Sequence, residues 1–358
     1  MKATHSLGID ISQAKFDVCL RLIDAPTPIP RHRAQFDNRP AGFQKLRRWL
    51  VQHLPAQAHL HACQEATSRY GDALALALHA QAHTVSVVNP RCIRHYADSR
   101  LVRTQHDPLD AQIIADYCAT QNPSPWQPAP VELRQLQDLT RLRQFFVHQS
   151  QRLQNRLHTE SPALARFVRR QVRQLQKTIA ELETQITQHL QAHAALAEQV
   201  ERVDSIPGVG PVTAAAVVAE LPPLDRLTHA GQAVALAGLD PRKKDSGSSV
   251  RGVAHLSKMG SRPLRAALYM AGVSALTHNP LVRALGQRLA AKGHTGKTVV
   301  CAAMRKLVRL SYGVLKTGQP FDPNWQTRDR AVPDAGAGAS GGDGRSSHPL
   351  ASPPVATA

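Results

Sequence analysis

The sequence predicts an α/β N-terminal domain, then a long helical arm, then a mainly helical C-terminal domain. Three observations support this order. Strand and helix patterns alternate first, a glycine-free stretch with helical spacing of apolar residues follows, and an alanine- and valine-rich region comes after it. The predicted boundaries are 1–125, 126–202 and 203–320. A tail over 327–358 is rich in Gly, Ala, Ser and Pro, so we expect it to be disordered.

Within the N-terminal domain, short apolar runs predict strands and helical spacing predicts helices. The predicted strands are 6–11, 15–22, 33–37, 58–63 and 84–89. Pro90 follows the last of them and ends it. The predicted helices are 41–53 and 70–79. Strands that come first and then alternate with helices are typical of a layered α/β fold.

The helical arm shows a coiled-coil spacing, because its apolar residues recur alternately four and three positions apart. These residues are Val168, Val172, Leu175, Ile179, Leu182 and Ile186. An earlier helix carries Leu139, Leu142, Phe146, Leu153 and Leu157. We expect Pro162, with Ser161 as the helix cap before it, to separate the two helices. The pattern indicates an antiparallel hairpin or a dimerising arm, and an ordinary two-helix core is the alternative.

The positive charge of the chain is concentrated in its C-terminal domain. The net charge is +18 and the pI is about 10.4. The stretch 242–316 holds fifteen Lys or Arg and one acid, Asp245. A basic protein kept soluble by charge alone would not need that concentration. We therefore expect a polyanionic partner, and nucleic acid is the commonest one.

Cysteine usage and hydropathy exclude other classes of protein. The five cysteines form no CxxC pair, which argues against a disulfide framework or a zinc site. No apolar run approaches the roughly 18 residues of a membrane span, and the first residues show no signal-peptide pattern. We expect a soluble cytoplasmic protein with reduced thiols and no membrane partner.

Four acidic residues are candidates for one site. Asp10 lies inside the first predicted strand, and Glu65 follows the strand 58–63. Asp107 is the predicted cap of a helix that begins at Pro108, and Asp110 lies in the first turn of that helix. Each has a simpler interpretation. Asp10 can be a solvated acid of an edge strand, Glu65 a loop acid, and Asp107 with Asp110 a capping pair that the helix dipole stabilises.

As a set, the four acids indicate a metal site. Two carboxylates at strand ends and two at a helix start can converge at one end of a sheet, and such a cluster repels itself unless cations neutralise it. Hard carboxylate oxygens favour Mg²⁺ or Mn²⁺ over zinc. Two such ions roughly 4 Å apart activate the attacking oxygen and stabilise the leaving one in phosphodiester chemistry.

A serine in a basic loop is the second candidate site. Ser246 precedes a glycine, and nearby cations that could hold a phosphate are Lys243, Lys244, Arg251 and Lys258. Arg262 and Arg265 lie near the start of the next predicted helix, which adds a phosphate-positioning surface. The alternative is a Ser/Gly loop that grips the DNA backbone without a covalent role. Upstream, the turn 207–211 either presents backbone N–H groups to a phosphate or is a tight helix entry.

Taken together, these motifs resemble the DEDD transposases of the insertion sequence 110 family, to which the Piv-type DNA invertases are related. The resemblance runs from about residue 5 to 320, in the order of the family. The segments that carry it are GIDIS, EAT, NP, DPLDA, IPGVGPVTAAAVVAEL, AGLDPR, DSGSSVRG and SKMGSRPLRAALYMAG. It implies a ribonuclease H-like N-terminal domain similar to the resolvase RuvC, a coiled-coil arm and a C-terminal transposase domain.

The resemblance also implies roles for individual residues. In this family the quartet binds Mg²⁺, which corresponds to Asp10, Glu65, Asp107 and Asp110. The catalytic serine corresponds to Ser246, although Ser248 and Ser249 crowd the same loop. The family commonly has Lys-Thr before the first acid of its third motif, whereas this chain has Gln105-His106. That difference removes a cation near the metal and leaves the ligands intact.

The implied function is transposition. The enzyme would cut and rejoin DNA at element ends and target through a serine–DNA link, guided by a bridge-type RNA, as a dimer or tetramer formed through the arm and in association with the nucleoid. Two alternatives stay open: a metal-dependent junction nuclease in which water attacks, and a non-catalytic nucleic-acid-binding relic of a transposase.

Overall fold

The structure is a computed structural model that describes residues 4–22, 31–55, 58–66, 69–100, 107–242, 245–246, 250–251 and 255–324. The chain divides into two units, Met1–Pro130 and Val131–Ala358. The predicted tail at 327–358 lies outside the described residues, as do Lys243, Lys244, Ser248 and Ser249. None of the helices in the described part is both long and apolar enough to cross a membrane.

A five-stranded mixed sheet forms the centre of the first unit. Its strands are β1 (Thr4–Ile11), β2 (Lys15–Arg21), β3 (Arg31–Asp37), β4 (His59–Glu65) and β5 (Thr84–Val88). Their order across the sheet is β3-β2-β1-β4-β5. The pairs β1–β2 and β2–β3 are antiparallel, while β1–β4 and β4–β5 are parallel. All five predicted strands are therefore confirmed.

Helices cover both faces of this sheet. They are α1 (Pro40–His53), α2 (Asp72–Ala80), α3 (Pro90–Ser99) and α4 (Asp107–Gln121), and a 3₁₀ turn at Arg69–Gly71 precedes α2. Side chains of α1 and α2 pack with Leu7 and Ile9 of β1 in one core. On the other face, α3 and α4 pack against β4 and β5 around Cys63 and Val88. The mixed α/β class is confirmed, whereas α3 was not predicted.

Gly8 sets how closely α4 approaches β1. A Cβ at this position would collide with the carbonyl oxygen of Ala111 and the backbone nitrogen of Ala115. Because side chains alternate along a strand, Gly8 and Asp10 lie on the same face of β1, the face that α4 covers. The absent side chain therefore brings the start of α4, with Asp110, toward Asp10.

Gly8→Ala is expected to destabilise the first unit by about 3 kcal/mol, because backbone atoms of α4 would have to move. Urea unfolding followed by circular dichroism measures this loss. Gly313→Ala is the control, since a Cβ there meets nothing within 4 Å and the helix should gain up to about 1 kcal/mol. An equal midpoint for Gly8→Ala and the unaltered protein would contradict the close approach.

The second unit is mostly helical, as predicted. Its helices are α5 (Val131–Leu157), α6 (Pro162–Ala192), α7 (Ala194–Asp204), α8 (Pro211–Glu220), α9 (Ala230–Leu236), α10 (Arg262–His278), α11 (Pro280–Ala291) and α12 (Gly296–Thr317), with a 3₁₀ turn at Leu224–Arg226. The described residues between α9 and α10 include four two-residue strands: β6 (Pro241–Arg242), β7 (Asp245–Ser246), β8 (Val250–Arg251) and β9 (His255–Leu256).

The helices α5 and α6 form an antiparallel hairpin. Arg143 of α5 contacts Glu183 of α6, and His189, further along α6, bonds the carbonyl of Glu132, earlier in α5. Ser161 is the N-cap residue of α6 and Pro162 follows it, as predicted, but the serine side chain makes no capping bond. Of the predicted seam, Val172 and Ile186 are buried and the other positions are half-buried. Coiled-coil geometry stays a prediction.

Candidate functional site

Two of the predicted acids meet at one edge of the sheet in the first unit. Asp10 is next to last in β1, and Glu65 ends β4. The two strands are parallel and pair Ile9 with Gln64, so Asp10 and Glu65 each come one residue after this pair. Glu65 lies on the same face of β4 as Cys63, which packs against α4. Both acids therefore face the helix that carries the other two.

Asp110 completes this group from α4. Asp10, Glu65 and Asp110 line one cleft of about 350 Å³. The helix α4 begins at Asp107, one residue before the predicted first helical position, and the side chain of Asp107 lies outside the described part of the structure. The structure thus brings three of the four predicted acids to one cleft, from three different elements.

The cleft is electrostatically unfavourable for its own carboxylates. Burial raises the pKa of Glu65 to about 7, and the negative charges of Asp10 and Asp110 add to this rise. The positive charge of Arg94 acts in the opposite direction. Like charges that are forced together in a partly buried cleft hold a proton or a cation.

The donor set of the cleft fits a hard divalent cation. Its acidic donors are carboxylate oxygens, the ligands that Mg²⁺ and Mn²⁺ prefer, and the raised pKa of Glu65 reflects a repulsion that a cation would relieve. Among the residues whose side chains are described, no three acidic, histidine or cysteine side chains stand close enough to hold a metal ion as they are. Ligation would therefore require the carboxylates to draw together around the ion.

Metal affinity is expected to depend on pH through Glu65. Below about pH 7 this carboxyl is protonated in the metal-free protein, so a binding ion must displace the proton. Mn²⁺ affinity should rise by up to about tenfold per pH unit as the pH approaches 7, and then level off. Since the folded-state pKa is raised above the ordinary value of 4.5, the metal-free fold should also lose stability over the same interval.

Calorimetric titration with Mn²⁺ at several pH values, with the same titration of Glu65→Gln, tests this expectation. The variant should bind more weakly and lose the pH dependence. An affinity that is constant from about pH 5 to pH 7 in the unaltered protein would show that no carboxyl with a raised pKa is a ligand.

A further acid, Asp17, lies on the same face of the sheet but outside the cleft. Asp17 of β2 is directly opposite Asp10 and is buried. Both of its carboxylate oxygens accept a hydrogen bond from the side-chain amide of Gln35, at 3.0 Å. Asp17 does not line the cleft, so we do not count it among the candidate ligands.

Basic residues of the cleft come from α3, the helix that was not predicted. Arg91 and Arg94 line the cleft together with Asp98. The side chain of Asn89 accepts a hydrogen bond from the backbone N–H of Arg91 and so caps α3, with Pro90 in the first turn. Asn-Pro is a helix-start signal, whereas from the sequence we predict only the end of a strand at Pro90.

In the second unit, Ser246 lies in a short β-strand rather than in a loop. The strands β6 and β9 pair antiparallel, and within the chain that joins them β7 pairs with β8, Ser246 opposite Val250. The expectation of a loop is corrected for Ser246 and Arg251, which lie in these short strands. Their side chains are outside the described part of the structure.

Three cations that follow these short strands in the chain differ in their contacts. Lys258 and Arg262 are exposed. Arg265 is half-buried, and its Nη1 donates to the carbonyl oxygens of Ala237 and Gly260 at 2.9 and 3.2 Å. Burial, followed by the charge of Arg262, lowers the pKa of Arg265. Arg265 therefore stabilises the chain before α10, and the two exposed cations are better placed to contact a phosphate.

The start of α10 is fixed by a partly buried network. The hydroxyl of Ser261 accepts from the backbone N–H of Leu264 and donates to Glu220 at 2.7 Å. Arg141 of α5 donates to the same carboxylate at 2.5 and 3.1 Å. Three helices thus converge on Glu220, which positions Arg262 at the first turn of α10.

The turn before α8 serves packing. Gly208 has a φ of +96°, and a Cβ there would lie 2.5 Å from Cα of Ala275 in α10. The positive φ and this contact both favour glycine. The structure therefore supports the interpretation of this turn as a tight helix entry.

The comparisons with known proteins cover most of the chain. A transposase model for the DEDD type of IS110 matches residues 7–160, and a model described as transposase IS116/IS110/IS902 family matches residues 200–287. The pilin gene-inverting protein of Moraxella bovis is 31% identical over 88% of this chain and 97% of its own length. Its counterpart in Moraxella lacunata is 32% identical over the same shares. A 43.6 kDa protein of insertion element IS110 from Streptomyces coelicolor is 28% identical over 39% of this chain and 34% of its own length.

Proposed function

Since this chain belongs to the IS110 family of transposases, we propose that it is a DNA recombinase in which a magnesium-binding acidic quartet works with a nucleophilic Ser246. The observation that carries the proposal is the convergence of Asp10, Glu65 and Asp110 on one cleft, with the raised pKa of Glu65. This cleft has the charge and the donors that phosphodiester chemistry needs.

The first unit is proposed to have a ribonuclease H-like fold. The strand order β3-β2-β1-β4-β5, with β2 antiparallel to both of its neighbours, supports this. So does the position of the acids at the ends of two adjacent parallel strands and on the helix packed across them. The edge where the carboxyl ends of parallel strands meet is a common place for a site in open α/β sheets.

Asp10, Glu65 and Asp110, with Asp107, would hold Mg²⁺ or Mn²⁺. When bound there, the ion would lower the cost of charge on the attacking and leaving oxygens of the phosphodiester. Glu65 must lose its proton before it can act as a ligand, which ties the metal-bound state to neutral or higher pH.

Ser246 is proposed to attack the phosphorus atom of one DNA strand. A bond forms between the hydroxyl oxygen and phosphorus, and the bond from phosphorus to one deoxyribose oxygen breaks. The serine proton is lost as that oxygen gains one. The resulting ester keeps the energy of the phosphodiester bond, so a second DNA end can attack it and be rejoined without ATP. Rejoining in exchanged orientation would yield inversion, the reaction that the names of the Moraxella relatives state for those proteins.

The proposed partners follow from the same assignment. DNA ends and target would contact the basic second unit through exposed cations such as Lys258 and Arg262, and through Lys243, Lys244 and Arg251. A guide RNA and assembly into dimers or tetramers through the α5–α6 hairpin complete the proposal. The quartet lies in the first unit and Ser246 in the second, so in such an assembly the two can come from different protomers.

Trapping the covalent intermediate tests this function. The protein is incubated with Mg²⁺, with RNA transcribed from the DNA that flanks its gene, and with a plasmid that carries the gene and this flanking DNA, and the reaction is stopped with detergent. Nuclease and protease digestion followed by mass spectrometry should then locate a nucleotide on Ser246. An adduct on none of Ser246, Ser248 and Ser249 would contradict the serine mechanism.

A further inference from the structure

The acidic cleft of the first unit also contains two arginine side chains. Arg91 and Arg94 lie three residues apart on α3, a spacing that places them on one face of the helix, and both line the cleft. Among the described residues, the salt bridges within 4.0 Å include neither Arg91 nor Arg94. Both side chains are exposed, and the charge of Arg94 acts on Glu65.

A positive charge in this position works against metal binding. A guanidinium that is close enough to lower the pKa of Glu65 also repels a divalent ion held by the same carboxylates. Metal binding therefore does not explain why an arginine is present in this cleft. The five N–H donors of arginine match the oxygens of a phosphate, with which it forms paired hydrogen bonds.

We propose that Arg94, with Arg91 beside it, binds a non-bridging oxygen of the DNA phosphate that enters the acidic cleft. This assignment rests on the proposed function, because it gives the phosphate a place beside the metal-binding carboxylates. The carboxylates hold the metal ions, and the guanidinium group contacts the phosphate from the α3 side. The acidic and the basic side chains of the cleft then bind different groups: the carboxylates bind metal ions, and the arginines bind the phosphate.

A structural role for Arg94 makes a different prediction. If the guanidinium only offsets the charge of Glu65, its removal should tighten Mn²⁺ binding and leave DNA binding unchanged. If it binds phosphate, its removal should weaken DNA binding whatever happens to the metal. DNA binding therefore separates the two roles, because removal of the positive charge should leave Mn²⁺ binding equal or tighter in either case.

The test compares Arg94→Gln with Arg100→Gln. Arg100 follows the last residue of the same helix, is exposed and does not line the cleft, so its variant removes an equal charge away from the site. Affinity for a fluorescent DNA duplex is measured in Ca²⁺ over a range of salt concentrations, and Mn²⁺ affinity is measured without DNA. Arg94→Lys tests whether charge alone is enough.

Arg94→Gln is expected to weaken DNA binding in Ca²⁺ by about 10- to 100-fold, while Mn²⁺ binding stays equal or becomes tighter. The slope of log affinity against log salt should fall by about one. Arg94→Lys should recover part of the loss, and Arg100→Gln should stay within about threefold of the unaltered protein.

Arg94→Gln that binds DNA like Arg100→Gln would overturn the assignment, provided that the unaltered protein binds Mn²⁺ and cuts DNA. If the unaltered protein does neither, the metal site itself is wrong, and the assignment of Arg94 falls with it. A thermal melt of each variant confirms that the fold is intact, which is expected because the Arg94 side chain is exposed.

Discussion

Ser246→Ala is expected to abolish both the protein–DNA adduct and the rejoining of DNA, with a loss of at least about 10⁴-fold. Alanine has no oxygen that can form the ester with phosphorus. We expect no other group of the chain to replace the positioned serine hydroxyl as the nucleophile. Gel electrophoresis under denaturing conditions detects the adduct, and amplification across the new junctions detects rejoined plasmid. The two measurements together report each half of the reaction.

Ser248→Ala and Ser249→Ala are the matched controls, because they remove hydroxyl groups from the same segment of the chain. Each should keep activity within about tenfold of the unaltered protein. Cutting that survives in Ser246→Ala would instead favour a junction nuclease, in which water attacks the phosphorus. DNA or RNA binding with no cutting at all, even in the unaltered protein, would favour a non-catalytic relic.

Asp10→Asn should reduce cutting by at least about 10³-fold and weaken Mn²⁺ binding, while the fold stays intact. The change removes one negative charge from the lining of the cleft and keeps the size of the side chain. A metal-assisted phosphodiester reaction loses several kcal/mol of transition-state stabilisation without such a ligand. Cutting rates at saturating Mg²⁺ and calorimetric titration with Mn²⁺ measure the two effects.

Asp17→Asn is the control for this prediction. Asp17 lies opposite Asp10 in the neighbouring strand and is held by Gln35, outside the cleft. Its amide variant can keep a hydrogen bond to Gln35 and should cut DNA at a rate within about tenfold of the unaltered protein. Equal losses in both variants would mean that the overall charge of this sheet edge, and not a metal ligand, sets the rate.

Much of the first unit could be predicted from local patterns. The strand positions were correct because short apolar runs, with alternation of apolar and polar residues in β2, report buried strands, and the helical spacing of apolar residues predicted α1. The capping pattern around Asp107 and Pro108 located the start of α4 to within one residue. The acids were found as a set, because four carboxylates that can converge at one end of a sheet repel one another unless a cation neutralises them, and the family resemblance points to the same residues.

Other features could not be predicted, because each depends on contacts between distant parts of the chain. Whether Asp10 and Glu65 share an edge depends on the pairing of β1 with β4, which no local pattern reveals. The closeness of α4 depends on the absence of a side chain at Gly8. Arg265 looked like its neighbour Arg262, and only the carbonyl groups around it show that it stabilises the fold.

The sequence by itself determined the class of the fold, the family of the chain and the identity of the candidate catalytic residues. These depend on periodicity and on short motifs, which are local properties. Only the tertiary structure decided which acids share a cleft, that Glu65 holds a proton up to about pH 7, and that Arg94 faces the same cleft. The reason is physical: burial and electrostatic repulsion depend on distances through space, and packing alone sets those distances.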